Sequence, residues 1–142
     1  MSTASQSKPC FVDTNIWLYA FIASQDLSKS EIAKDLIQQG AIVISPQVIN
    51  EVCVNLLKKA QVGESNIRLL INSFYSKYRV EAIDRDLLLN SSELREKWQF
   101  SFWDSLIVSS ALRSGAEVLY TEDMSDGLVV ENRLTITNPF AS

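Results

Sequence analysis

Two aspartates follow short apolar runs that predict strands. Asp13 comes directly after the run that ends at Val12, and Asp123 comes three residues after the run that ends at Tyr120. In a parallel α/β sheet, both would lie at the carboxyl edge, where ligands bind. Each carboxylate could hold a cation or take part in a reaction. The alternatives are that Asp13 caps the following helix and that Asp123 belongs to an acidic turn.

A third aspartate, Asp104, lies near the start of a predicted helix. Ile107 and Val108, three and four positions further on, are apolar, so Asp104 is predicted to share the inward face of that helix. An ionised carboxylate on such a face is costly unless it is paired or bound to a metal. The alternative is a capping box, in which Ser101 and Asp104 satisfy each other's main-chain N–H groups.

Glu51 gives the opposite signal. It falls outside the apolar arc of its predicted helix, so helical periodicity predicts an ordinary solvated glutamate. The residues of that arc are Val48, Ile49, Val52, Cys53, Leu56 and Leu57.

Bringing the three aspartates together would require a cation. Each close pair of carboxylates would cost roughly 4 kcal/mol at an effective dielectric of about 20. A fold keeps such a group when a bound cation offsets the repulsion. The chain contains no histidine, so the ligands would be oxygens, and this favours Mg²⁺ or Mn²⁺ over zinc.

The lack of histidine also excludes several reaction classes. Ser-His-Asp and Cys-His nucleophile pairs need an imidazole, and so does histidine general acid–base catalysis. The usual zinc sites need one as well. An enzyme with this sequence must therefore use carboxylates, lysines, hydroxyls or an oxygen-ligated metal.

Composition and charge predict one cytoplasmic globular domain. The chain has 142 residues, of which 46% are hydrophobic and 21% are charged. Its net charge of −4 is unlike that of a nonspecific nucleic-acid-binding protein. Any nucleic acid would have to be held locally or through bound cations. Basic residues that could line such a site are Lys58, Lys59, Arg85 and Arg113.

The termini and cysteines predict no secretion. Residues 1–8 are polar, lack the apolar core of a signal peptide and are expected to form a disordered tail. No apolar run is long enough to span a membrane. Cys10 and Cys53 are predicted to be buried thiols in a reducing cytosol.

Predicted strands alternate with predicted helices along the chain. This alternation is typical of a mostly parallel sheet with helices on both faces. The predicted strands cover 9–12, 41–44, 79–83, 117–120 and 134–137. The predicted helices cover 14–21, 31–39 after a cap at Ser30, 46–60, 65–78, 85–98 with a possible kink at 90–92, and 102–114.

Four short motifs follow one another along nearly the whole chain. They are Phe11-Val12-Asp13-Thr14-Asn15, Ser45-x-x-Val48-x-x-Glu51, Phe102-Trp103-Asp104-Ser105 and Leu119-Tyr120-Thr121-Glu122-Asp123. With Asn138-Pro139-Phe140 near the end, they resemble the PIN-domain family. Within that family, the chain is most similar to the VapC-like toxins of prokaryotic toxin–antitoxin pairs.

The resemblance implies a single PIN-like domain over residues 1–142. It implies a three-layer α/β fold with a parallel sheet of about five strands in the order 3-2-1-4-5, flanked by helices. It also implies a metal-dependent ribonuclease in which Asp13, Glu51, Asp104 and Asp123 hold Mg²⁺ or Mn²⁺. For Glu51, this implication disagrees with the helical periodicity.

Four further residues in or near these motifs are candidates for a supporting role. Thr14, Asn15 and Thr121 could orient the carboxylates, although each also fits an ordinary turn or cap. Asp126 is an additional acid near the site with no assigned role. The resemblance further implies an RNA substrate, a small antitoxin that inserts a segment into the acidic groove, and a homodimer.

Two other functions fit part of the pattern. One is an aspartate-nucleophile phosphotransferase or phosphatase in the manner of haloacid-dehalogenase-like enzymes, with Asp13 as the nucleophile. Those sites usually have a second aspartate two residues later, where this chain has Asn15. The other is a noncatalytic PIN-like binding module whose acids no longer support a reaction.

Overall fold

The computed structural model describes residues 8–22 and 26–141. The predicted disordered tail lies outside these residues except for Lys8, which is exposed. The strands are β1 (Pro9–Val12), β2 (Ala41–Ile44), β3 (Arg79–Val80), β4 (Val118–Tyr120), β5 (Val129–Val130) and β6 (Leu134–Thr137). The helices are α1 (Thr14–Phe21), α2 (Leu27–Gln39), α3 (Pro46–Lys59), α4 (Glu64–Lys77), α5 (Arg85–Trp98) and α6 (Phe102–Arg113).

The six strands form one sheet in the order β3-β2-β1-β4-β6-β5. The first five in this order are parallel, and β5 is antiparallel to β6 at the edge. The predicted order 3-2-1-4-5 is confirmed, with β6 in the place of the fifth predicted strand. The sequence did not predict β5, because two residues are too few to show a periodic pattern.

The central strand β1 carries the core and fixes the start of α1. Phe11 and Val12 are fully buried, as expected for a strand covered on both faces. Trp17 is also fully buried, and its indole N–H donates to the carbonyl of Val12 at 3.0 Å. The same ring packs edge-on against Phe74 and Tyr78, with centroids 5.1 Å apart in both pairs. Asp13 is therefore held between two tightly packed elements.

Most predicted helix starts are confirmed, but α2 begins earlier than predicted. Asp26, rather than Ser30, caps this helix, because its carboxylate accepts a hydrogen bond from the Lys29 N–H at 3.1 Å. Ser30 is buried within the helix. Residues 27–30 therefore belong to this helix, which was predicted to begin only at residue 31.

Two further predictions needed correction. The third strand covers only Arg79–Val80. Glu81 still donates its N–H to the Ile44 carbonyl of β2 at 2.8 Å, and its side chain pairs with Arg113. Helix α5 is continuous over Arg85–Trp98, without the kink predicted at 90–92. The hydroxyl of Ser91 donates to a carbonyl of its own helix.

Within residues 8–22 and 26–141, every helix is too short or too polar to span a lipid bilayer.

Both cysteines are free and buried, as predicted. Burial raises the pKa of the Cys10 thiol to about 11, which keeps it protonated and unreactive at neutral pH.

Candidate active site

Four carboxylates from four separate parts of the chain line one cleft of about 340 Å³. Three of them come from the end of β1, from α3 and from the first turn of α6, and the fourth follows β4. The cleft therefore lies at the carboxyl edge of the sheet, where parallel α/β folds bind ligands. The four are Asp13, Glu51, Asp104 and Asp123, and they are joined by Thr14, Asn15, Asn55, Trp103 and Ile107.

Asp13 is the most buried of the four acids. Its Oδ1 accepts a hydrogen bond from the Thr14 N–H at 2.7 Å, and its Oδ2 accepts one from the Thr121 hydroxyl at 2.8 Å. Burial raises the pKa of Asp13 to about 6, and the nearby carboxylates of Glu51 and Asp123 raise it further. Asp13 therefore both caps α1 and lines the cleft, so the two readings of this residue are compatible.

Glu51 faces the cleft and not the solvent. It is half-buried, and its Oε2 accepts a hydrogen bond from the Thr14 hydroxyl at 2.7 Å. Gln47, one helical turn earlier on the same face, is also buried. The prediction from helical periodicity was wrong because α3 buries a polar stripe against α1 beside its apolar arc. Hydropathy does not distinguish a stripe of this kind from a solvated face.

Asp104 lines the cleft wall and does not enter the apolar core. Its main-chain N–H donates to the Ser101 hydroxyl at 3.0 Å, which is one half of the predicted capping box. In residues 8–22 and 26–141, its half-buried carboxylate accepts no hydrogen bond. The next residue, Ser105, is fully buried and accepts a hydrogen bond from Arg95 at 2.9 Å. The first turn of α6 is thus fixed while the Asp104 carboxylate stays available.

Asp123 is the exposed member of the four acids. Its Oδ2 accepts a hydrogen bond from the Asn15 amide at 2.8 Å, and its N–H donates to the Thr121 hydroxyl at 3.2 Å. Partial desolvation raises the pKa of Asp123, and the carboxylates of Glu122 and Asp104 raise it further. Its negative charge is therefore disfavoured where it stands, as expected for an acid beside other acids.

A basic residue anchors the loop that carries Asp123. The Glu122 carboxylate accepts hydrogen bonds from the Tyr19 hydroxyl at 2.8 Å and from the Lys29 ammonium at 2.9 Å. The same ammonium lies 5.0 Å from the Tyr19 ring centroid and 5.2 Å from that of Phe140. This contact ties the loop to α1 and α2 and restricts the position of its neighbour, Asp123.

Thr14, Asn15 and Thr121 all contact the acids. Thr14 bridges Asp13 and Glu51 through its N–H and hydroxyl, and Thr121 bridges Asp13 and Asp123. The Asn15 amide donates to the carboxylate of Asp123. Together these residues orient the carboxylates of Asp13, Glu51 and Asp123, as a supporting shell does in metal sites.

Asp126 lies apart from the cleft-lining residues. It is exposed, and its carboxylate accepts a hydrogen bond from the Asn138 N–H at 2.8 Å. This contact gives Asp126 a turn-stabilising role.

Sequence reasoning assigned no role to Asn55 or to Trp103, and both line the cleft. Asn55 lies four residues after Glu51, so the helical period places both on one face. Its amide donates to the Glu51 carbonyl at 2.8 Å. None of the basic residues considered as rim cations lines the cleft, and Arg113 instead pairs with Glu81 and Asp84.

The donor set fits a hard divalent cation. Within the described residues, no three histidine, cysteine, aspartate or glutamate side chains are arranged to hold an ion by themselves. Mg²⁺ does not require such a cage, because it keeps several waters and commonly takes one or two carboxylates plus substrate phosphate. Four carboxylates around one cleft supply that many ligands, with oxygen as the only donor type.

Comparison with known proteins identifies a family with this architecture. The sequence matches the family model described as the PIN domain over residues 10–125. No curated protein sequence is significantly similar to the chain.

Several solved structures share the fold. A toxin–antitoxin complex from Klebsiella pneumoniae has a TM-score of 0.69 at 23% identity, covering 92% of this chain and 98% of that one. VapC20 of Mycobacterium tuberculosis, described as a sarcin–ricin-loop-cleaving toxin, has a TM-score of 0.64 at 22% identity, covering 80% and 91%. VapBC2 of Rickettsia felis, bound to promoter DNA, has a TM-score of 0.62 at 20% identity, covering 92% and 99%. Because the family model covers most of its length and these structures share its architecture, the chain belongs to the PIN-domain family.

Proposed function

We propose that this chain is a metal-dependent endoribonuclease that cleaves RNA phosphodiester bonds as the toxin of a toxin–antitoxin pair. The observation that carries the proposal is the convergence of Asp13, Glu51, Asp104 and Asp123 on one cleft at the carboxyl edge of a PIN-domain sheet. Gathering four negative charges would destabilise the fold unless a cation and its ligand made use of them.

The hydrogen bonds of the four acids suggest different roles for them in metal binding. Asp104 has a carboxylate free of hydrogen bonds among the described residues. Asp13 has both oxygens fixed by Thr14 and Thr121. These two aspartates would hold Mg²⁺ or Mn²⁺ directly, while Glu51 and Asp123 would hold a second ion or orient water. When bound, such an ion activates water and offsets the charge of the scissile phosphate.

The residue at position 15 disfavours the phosphotransferase alternative. An aspartate nucleophile of that kind usually works with a second aspartate two residues later. This chain has Asn15 there, and its amide donates to Asp123. The cleft is better suited to in-line attack by water, which would leave 5′-phosphate and 3′-hydroxyl ends.

The toxin role rests on what the similar structures are. The Klebsiella pneumoniae structure is a toxin–antitoxin complex, and VapC20 is a toxin that cleaves the sarcin–ricin loop. By extension, this chain would act in the cytoplasm on RNA, form a homodimer and be neutralised by a small antitoxin that inserts a segment into the acidic cleft. The chain covers 98% of the first of these structures and 91% of the second.

RNA cleavage should depend on added metal. Incubation with a panel of structured RNAs is expected to give discrete fragments with Mn²⁺ or Mg²⁺ and none with excess EDTA, because the carboxylates alone provide no positive charge for the phosphate. Fragments should accept 3′-end ligation without prior phosphatase treatment, which reports the 3′-hydroxyl. Equal cleavage in EDTA, or none with either metal on any RNA, would contradict the proposal.

Expression of the chain in its native host should arrest growth. The arrest is expected because cleavage of an essential RNA stops translation, and it should disappear when the Asp104→Asn chain is expressed at the same level. Purification of the tagged Asp104→Asn chain from that host should recover a small partner protein. Normal growth with the unaltered chain and no recovered partner would argue against the toxin role while leaving the nuclease activity open to direct assay.

A further inference from the structure

Trp103 is a large aromatic residue left exposed beside the acidic cleft. Its relative exposure is 64%, and it immediately precedes Asp104 in α6. The other two tryptophans are used differently: Trp17 is buried, and Trp98 is half-buried with its indole N–H donating to Glu131. The indole N–H of Trp103 has no partner in the described part of the chain. An exposed aromatic ring with a free N–H is suited to binding a ligand that has an apolar face and a hydrogen-bond acceptor.

An apolar pocket of about 370 Å³ adjoins the cleft at this ring. The pocket and the cleft share Glu51, Asn55 and Trp103 in their walls. The remaining walls combine aliphatic side chains with the amides of two polar residues. These residues are Val54, Ile83, Leu106, Asn50 and Gln47.

The residues that line the pocket suit a nucleobase better than a phosphate group or a charged peptide side chain. A base has flat apolar faces that stack on aromatic rings and a polar edge that hydrogen-bonds to amides. No lysine or arginine occurs among the described residues that line the cleft or the pocket. With a net charge of −4, the chain offers few favourable phosphate contacts there, so base stacking would have to supply much of the RNA affinity.

Gln47 adds an unsatisfied acceptor to the pocket wall. Its amide nitrogen makes two long contacts of 3.4 Å, to Glu51 and to the Trp103 carbonyl, and both partners are acceptors. This fixes the amide orientation and leaves its buried Oε1 without a partner among the described residues. The pocket wall thus contains a polar side chain whose hydrogen bonding is incomplete, and the edge of a base supplies both donors and acceptors.

We propose that Trp103 and the apolar pocket beside it form a nucleobase subsite, in which a base flanking the scissile phosphate stacks on the indole and enters the pocket. The inference rests on the proposed ribonuclease function and adds a substrate-positioning residue to it. A single-stranded segment or loop is the required substrate form, because a base paired within a helix does not present a free face for stacking.

Binding to a fluorescently labelled single-stranded RNA of mixed sequence tests the subsite without cleavage. All proteins carry Asp104→Asn and are compared by anisotropy at one fixed salt concentration. Trp103→Ala is expected to weaken binding about 5- to 150-fold, and Trp103→Phe to stay within about 5-fold, because phenylalanine retains an aromatic face. Val54→Phe, which fills the pocket from α3, should weaken binding as well. Tyr75→Ala, which removes a 54% exposed aromatic residue that lines neither hollow, is the matched control.

The outcomes separate this inference from the function on which it rests. RNA binding that is equal for Trp103→Ala and Tyr75→Ala overturns the subsite and leaves the nuclease proposal standing. Unchanged RNA binding together with a changed oligomeric state of Trp103→Ala, measured by sedimentation, assigns this face to protein contact and also overturns the subsite. Failure of the Asp104→Asn protein to bind any RNA, with no cleavage by the unaltered chain, overturns both.

Discussion

Replacing Asp104 with asparagine is expected to reduce RNA cleavage at least about 1,000-fold and to leave the fold intact. Its carboxylate is the one in the cleft that accepts no hydrogen bond from the described residues, so its charge is available to a cation. Loss of a charge that stabilises the metal and the transition state is worth several kcal/mol, and about 4 kcal/mol corresponds to a factor of about 1,000 in rate. Single-turnover cleavage at saturating Mn²⁺ measures the loss.

Stability provides the internal check on this result. The Asp104 carboxylate raises the pKa of Asp123, so the two charges repel each other. Removing one should keep the melting temperature unchanged or raise it. Asp86→Asn on α5, where the side chain is 76% exposed, is the matched control and should cleave normally. If Asp104→Asn cleaves RNA within about 10-fold of the rate of the unaltered chain, Asp104 is not a metal ligand.

Asparagine at position 13 is expected to stabilise the metal-free chain at pH 7. Burial raises the pKa of Asp13 from its ordinary value of 3.8 to about 6, so holding this residue ionised in the folded state costs about 3 kcal/mol. Asparagine keeps an oxygen for the Thr14 N–H and removes the charge. Thermal unfolding in EDTA should show a gain of roughly 6–12 °C for a chain of this length, at the expense of cleavage.

The pH dependence has a defined sign. Because the folded pKa lies above the unfolded one, the contribution of Asp13 to stability is fully present below pH 3.8 and is lost as the pH rises through about 6. The unaltered chain and Asp13→Asn should therefore be about equally stable near pH 4 and diverge up to pH 7. If the stabilities of the two proteins change in parallel between pH 4 and pH 7, burial does not disfavour the ionised form of Asp13.

A bound metal ion should offset the free-energy cost of keeping Asp13 ionised in the folded chain. A cation that binds only the folded chain stabilises it by about 2.7 kcal/mol at 100 times its dissociation constant. Mn²⁺ should therefore raise the melting temperature of the unaltered chain and much less that of Asp13→Asn. Asp86→Asn should respond to Mn²⁺ like the unaltered chain.

Local patterns in the sequence predicted most of the elements correctly. The side chains of Ser45, Asp84 and Ser101 each accept a hydrogen bond from the N–H three residues later, and this contact depends on adjacent residues alone. Strands β1 and β2 were predicted with their observed bounds because they are short, continuous apolar runs. The start of α2 was missed because Asp26 and Ser30 are both good caps, and only packing selects between them.

The cleft shows the limit of local patterns. Helical periodicity placed Glu51 in solvent, whereas its carboxylate meets Thr14, 37 residues earlier in the chain. The contact between Asn15 and Asp123 spans 108 residues. The resemblance to the family named Glu51 where periodicity did not, because motif order carries information about distant contacts that spacing along one helix lacks.

The sequence by itself determined the available chemistry, since a chain with no histidine and with acids after its strands restricts a metal site to oxygen ligands. It also determined where most helices and strands begin, because capping and apolar runs act over a few residues. Only the tertiary structure decided which acids face one another, how deeply Asp13 is buried and that Trp103 stays exposed beside them. Those properties depend on how α1, α3 and α6 pack around β1, and packing between distant elements is not encoded in any single stretch.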